Sequence, residues 1–148
     1  MSYVEVYTDG SSRGNPGPGG YGVVLKYGDV QKELSEGFLR TTNNRMELMA
    51  VIVGLETLTR PCQVLVVSDS KYVVDSVEKK WIDGWVRKQF KGVKNPDLWQ
   101  RYLRAAKQHS VRFQWVKGHA THVLNNRCDV LATQAALKGP HRVDAGME

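Results

Sequence analysis

The hydrophobic pattern of this 148-residue chain changes period once, and that change limits the fold more than any other feature. Residues 3–8, 21–27 and 32–38 read as three successive strands. The first alternates polar and apolar residues, and the second and third are joined by Gly28-Asp29, a strong hairpin signal. After residue 43 the chain alternates helix and strand. Asn43 and Asn44 precede a helix over 46–58 that is apolar on most faces, and Arg60-Pro61 ends it. Residues 63–68 form an apolar strand, and 70–78 a helix begun by a Ser70 cap. A basic, aromatic stretch over 81–91 reads as a short helix and a loop. Asn95-Pro96-Asp97 then introduces a helix over 98–108, and 111–116 is a last strand. Residues 118–124 form a loop, Asn125 or Asn126 caps a final helix to Leu137, and 138–148 is expected to be a loose tail. Three antiparallel strands followed by alternating helices and strands specify one α/β domain over 1–148, a mixed sheet with helices on its faces. Ligands of such sheets gather at the carboxyl ends of the parallel strands.

A chain of this length with 41% hydrophobic residues buries a core without cross-links. Its two cysteines, Cys62 and Cys128, form no C-x-x-C, and no signal-like stretch precedes them, so a reducing, cytosolic setting is expected. The apolar runs at 51–55 and 64–67 are core-length and far short of a membrane span. The net charge of +6 is local: residues 71–112 hold eleven Lys/Arg against four Asp/Glu. Trp81, Trp85, Phe90 and Trp99 are interleaved with these cations. Such a mixture suits a phosphate backbone, and equally a solvated basic face over core aromatics.

Asp9 and Asp69 end their strands in matching contexts, Val6-Tyr7-Thr8-Asp9-Gly10 and Val66-Val67-Ser68-Asp69-Ser70. If those strands are neighbours, the two carboxylates meet at one sheet edge. Taken singly, each is also explained by a turn bond or a helix cap. Glu47 lies early in an apolar helix, where an unpaired carboxylate is expensive, although Asn44 to Glu47 fits a loose capping box. Asp129 sits early in the last helix, where the helix dipole would favour it. Four carboxylates converging in a basic protein would repel one another unless a divalent cation held them. Oxygen ligands select hard cations, Mg²⁺ first and Mn²⁺ as a substitute, and no Cys/His cluster suggests zinc. Two such ions about 3.5 to 4 Å apart can activate a water and stabilise the leaving oxygen of a phosphodiester displacement.

Gly17, Gly19 and Gly22 match G-x-G-x-x-G, but β-forming residues follow where a dinucleotide site needs a helix. A tight turn that lets backbone approach the site is the plainer expectation. His119, on a glycine-flanked loop after the last strand, is placed to be a mobile proton carrier or a solvent-facing histidine. His109 and His141 read as surface residues, and Cys128 as a small buried hydrophobe.

Taken in order, Tyr7-Thr8-Asp9-Gly10-Ser11, Gly14-Asn15-Pro16-Gly17, Thr41-Thr42-Asn43-Asn44-Arg45-Met46-Glu47-Leu48, Ser68-Asp69-Ser70, Asp97-Leu98-Trp99 and Val116-Lys117-Gly118-His119 closely resemble bacterial type 1 ribonuclease H, and the resemblance spans nearly the whole chain. It implies a five-stranded mixed sheet, three antiparallel strands and then parallel ones, with helices on both faces. The implied activity is hydrolysis of the RNA strand of an RNA/DNA hybrid, leaving a 5′-phosphate and a 3′-hydroxyl. By resemblance Asp9, Glu47, Asp69 and Asp129 are the metal-binding catalytic acids of a monomer using two ions and no small-molecule cofactor, and His119 is the catalytic-loop histidine. Ser12, Asn15, Asn43 and Lys71 fall where the family contacts the hybrid, and Asn15 and Thr42 fit its pocket for a DNA phosphate. Lys80, Trp81, Trp85, Arg87 and Lys88 lie in a stretch similar to the family's basic handle, here several residues shorter. Lys71 stands where many bacterial relatives carry an amide, which would make hydrogen-bond readout electrostatic.

Overall fold

The computed structural model describes residues 2–117 and 122–147. Its opening meander is β1 (Ser2–Ser12), β2 (Gly17–Tyr27) and β3 (Val30–Thr41), followed by α1 (Asn43–Thr57) and β4 (Cys62–Ser68). Then come α2 (Lys71–Glu78), α3 (Trp81–Arg87), α4 (Pro96–Ala106), β5 (Ser110–Trp115), α5 (Val123–Lys138) and β6 (His141–Arg142). The sheet order is β5-β4-β1-β2-β3-β6, with the meander antiparallel and β4, β5 and β6 parallel to their neighbours. The expected α/β architecture is present, with one additional short strand. No helix among the described residues is long and apolar enough to cross a membrane.

Alternation along the central strands divides the core. Val4, Val6, Val23, Val64 and Val66 face α1, α2 and α4, whereas Tyr7, Val24 and Val67 face α5. α1 is buried on nearly every side, from Arg45 through Ile52, as its continuous apolar sequence requires.

Three boundaries differ from the sequence reading. The first two strands are longer than the 3–8 and 21–27 read from sequence: β1 runs to Ser12 and β2 begins at Gly17. Gly14, at φ +96°, and Gly17, whose Cβ would meet the Arg13 carbonyl, make the tight turn at 13–16, while the glycines that flank it clear space for helices. A side chain at Gly22 would collide with the Cys128 carbonyl of α5, and one at Gly10 with the backbone at Glu47 of α1. Thr42, not an asparagine, caps α1 through its hydroxyl, which accepts from the Arg45 N–H. α5 starts at Val123 without a side-chain cap; the Asn125 amide instead donates to the Val67 carbonyl at the end of β4.

The tail is not loose. His141 and Arg142 add to β3, and the His141 ring bonds the Ala136 carbonyl. Asp144 is buried against Arg45, 2.7 Å from its Nε, and also accepts from the Thr41 hydroxyl. The same guanidinium forks onto Asp97 at 2.9 and 2.6 Å. Arg45 thereby ties the start of α1, the start of α4 and the chain's end into one charge-paired knot.

Candidate active site

β1 and β4 run parallel from Ser2↔Cys62 to Tyr7↔Val67, and continuing that register sets Asp9 across from Asp69. β1 remains paired with β2 as far as Ser12, but its pairing with β4 stops at Tyr7. A crevice therefore opens at the carboxyl end of these two central strands. α1 sends Glu47 into it from its second turn. One backbone N–H, that of Gly10, donates to both Asp9 Oδ1 (2.9 Å) and Glu47 Oε1 (3.0 Å), so the strand and the helix are stitched at the acids themselves. The capping box considered from sequence does not form: Thr42 is the cap, Asn44 lies inside α1, and Glu47 Oε1 accepts from Gly10 instead.

Asp9, Glu47 and Asp69 each offer an oxygen within 4.8 Å of the others. Asp9 is 8% and Glu47 4% exposed. Burial pushes the Asp9 carboxyl up to about 7, with Asp69 and Asp129 adding to the rise, and burial together with Asp9 pushes Glu47 well above the ordinary carboxylate range. Glu47 Oε2 is buried with no hydrogen-bond partner among the described residues. An oxygen-only donor set, mutual repulsion and a buried oxygen lacking a donor are what a hard divalent cation would satisfy, so these residues fit one. Asp129 lies in the second turn of α5, beyond the reach of a first-turn dipole contact, and lines the same cleft of about 460 Å³.

Other expected site residues divide in three ways. Asn43 and Lys71 line the cleft. The Asn15 side chain accepts from the Asn43 N–H at 3.0 Å, which seats the 13–16 loop on the start of α1 beside Thr42, and Ser12 is half-buried at the end of β1. Lys80, Arg87 and Lys88 are exposed around α3, and Trp81 is 47% exposed with the Lys79 ammonium 5.7 Å from its ring centre. Trp85 and Trp99 pack edge to face at 5.5 Å, and Trp99 is wholly buried. Only Trp81 among the tryptophans of that segment is therefore largely open to a ligand. His119 lies outside the described residues. His109 and His141 are half-buried and bonded, the former through Nδ1 to the Cys62 N–H. Burial lifts the Cys128 thiol to about 12, in keeping with a core residue.

Sequence reasoning passed over Arg45 and Trp115. An arginine in an apolar helix signals hidden acid partners, but Asp97 and Asp144 are distant along the chain. A cavity of about 620 Å³ lies over that knot. Its lining arginines and acids largely pair with one another, so it carries none of the acid cleft's electrostatic demand.

The sheet order and the acids at the carboxyl ends of its central strands define an α/β protein with an acidic cleft that fits a divalent cation. The sequence model of a family described as RNase H matches residues 1–137. Ribonuclease H of Lachnoclostridium phytofermentans is 57% identical over 147 residues, covering 92% of this chain and 93% of the relative. That of Photorhabdus laumondii is 53% identical over 148 residues, covering 97% and 94%. Among solved structures, LC9-RNase H1, a type 1 RNase H with the type 2 active-site motif, superposes with a TM-score of 0.83 at 34% identity, covering 92% of this chain and 72% of that one. LC11-RNase H1 in complex with an RNA/DNA hybrid gives 0.68 at 27%, covering 91% and 97%. The chain belongs to the ribonuclease H family and is an enzyme of that activity.

Proposed function

We propose that this chain hydrolyses the RNA strand of an RNA/DNA hybrid by holding two divalent ions, Mg²⁺ or Mn²⁺, on Asp9, Glu47, Asp69 and Asp129. The observation that carries the metal reading is the buried, partnerless Glu47 Oε2 within an acid cluster that cannot ionise fully by itself. When bound, the ions supply Lewis acidity toward a phosphodiester and a more acidic water. The chain's own part is positional. β1 and β4 present Asp9 and Asp69 from a rigid sheet, Gly10 locks Glu47 to Asp9, and α5 brings Asp129 to the open side.

Selection of RNA falls to the rim. Asn43 and Lys71 line the cleft and the Asn15 side chain bonds the Asn43 N–H, which supports a role for them, with Ser12 at the end of β1, toward RNA hydroxyls and flanking backbone. Thr42 and Asn15 form the seat for a DNA phosphate. Lys80, Trp81, Arg87 and Lys88 provide the charged and aromatic surface around α3, with Trp85 fixing that helix on the core. His119 assists on its loop. The enzyme acts as a cytosolic monomer without a small-molecule cofactor.

The deciding experiment compares cleavage of labelled hybrid, duplex DNA, duplex RNA and single strands, with and without Mg²⁺. Hybrid alone is cut, only with the cation, and Asp9→Asn abolishes cutting. Duplex DNA cleavage, or undiminished activity in Asp9→Asn, would sink the reading.

A further inference from the structure

Trp115 ends β5, in register with Ser68 of β4, and its indole N–H donates to the backbone carbonyl of Asp69 at 3.0 Å. The Lys71 ammonium lies over the same ring, 4.8 Å from its centre. One side chain thus grips the main chain of a cleft acid and the head group of the residue two positions on. The ring is 42% exposed, so core packing does not account for its place.

Lys71 itself breaks a local rule. It opens α2, the helix end where the dipole disfavours a cation, and it carries a long flexible stem. α2 is already capped by the Ser70 hydroxyl, so the helix has no need of a lysine there. Lys71 also lines the acid cleft. A residue that opposes its own helix at the mouth of a site is expected to work in that site. Attraction between the ammonium and the ring face narrows the arc the stem can sweep before a ligand arrives.

We propose that Trp115 is a positioning residue of this site: its indole N–H fixes the Asp69 carbonyl, and its ring face seats the Lys71 ammonium at the rim to take a backbone phosphate of the hybrid. The inference rests on the reading of the chain as a hybrid nuclease.

The test is steady-state cleavage of a hybrid at several salt concentrations, with the melting temperature of each variant as a folding control. Lys71→Met raises KM and flattens the salt dependence of kcat/KM by about one phosphate's worth, with kcat unchanged. Tetrafluorotryptophan introduced at position 115 alone keeps the shape and the N–H but removes the ring face's attraction for a cation. It raises KM about two- to fivefold in the Lys71 protein and has no effect in the Lys71→Met background. Trp115→Phe retains a ring face and loses the N–H, so it lowers kcat while KM stays within about twofold. A fluorinated ring that acts equally in both backgrounds, or in neither, overturns the Lys71 seat. Unchanged kcat in Trp115→Phe overturns the Asp69 half. A parent protein that cleaves no hybrid overturns the functional reading, and this inference with it.

Discussion

Asp9 and Glu47 are held in a crevice that favours their protonated forms, and this has a signed consequence for stability. The unfolded chain ionises Asp9 near pH 4, whereas the folded carboxyl retains its proton to about 7. Its contribution is complete below pH 4, drains away as pH rises from 4 to 7, and stays lost above. In cation-free protein, urea unfolding is expected to show a loss of roughly 2–4 kcal/mol over that interval that Asp9→Asn removes. Added Mg²⁺ or Mn²⁺ should accordingly raise the melting temperature more at pH 8 than at pH 5, and an equal rise at both would contradict the site. Gly10 acts at the same scale. Its N–H serves both acids and its missing side chain admits the backbone at Glu47, so Gly10→Ala moves the helix that carries Glu47. A fall in kcat of about 100-fold or more is expected for an ångström-scale misplacement.

At the level of elements, α3 and its flanks show how the basic segment joins rigidity to charge. Trp85 and Phe90 pack on the core and anchor the segment, leaving Lys80, Trp81, Arg87 and Lys88 outward. Lys80 caps α3 in the left-handed conformation, φ 61°, which a glycine adopts without strain. Lys80→Gly is expected to stabilise the fold by roughly 0.5–1 kcal/mol while weakening hybrid binding. A melting curve and a KM on the same sample check both signs, and a variant that loses stability would refute the strain argument. The elements were legible in sequence wherever one periodicity ruled, as in the meander and the apolar α1. They were misjudged where a distant partner intervened. Residues 17–20 look like a loop locally but form strand, with Gly19 packed against Thr41 and Met46 and Gly20 against α5. Asn125 looks like a cap but is engaged by β4.

Across the whole molecule, the chain's end is fastened to the helix that carries Glu47. Asp144 and Asp97 neutralise a guanidinium that α1 buries, and its charge has no other outlet among the described residues than these acids and Asn95. Asp144→Ala leaves that charge half-compensated and is expected to destabilise the fold by about 3–5 kcal/mol, read by urea unfolding. A loss under about 1 kcal/mol would show that the tail is an accessory. The sequence alone determined the order of elements from β1 to α5, the mixed sheet and four candidate acids, because periodicity and short motifs are written locally. The tertiary structure decided which atoms those acids share, that the tail closes the sheet edge, that most of the basic segment's aromatics belong to the core, and that Trp115 stands between Asp69 and Lys71. Those are matters of contact between residues far apart along the chain, set by how helices settle on the sheet, and no local pattern encodes them.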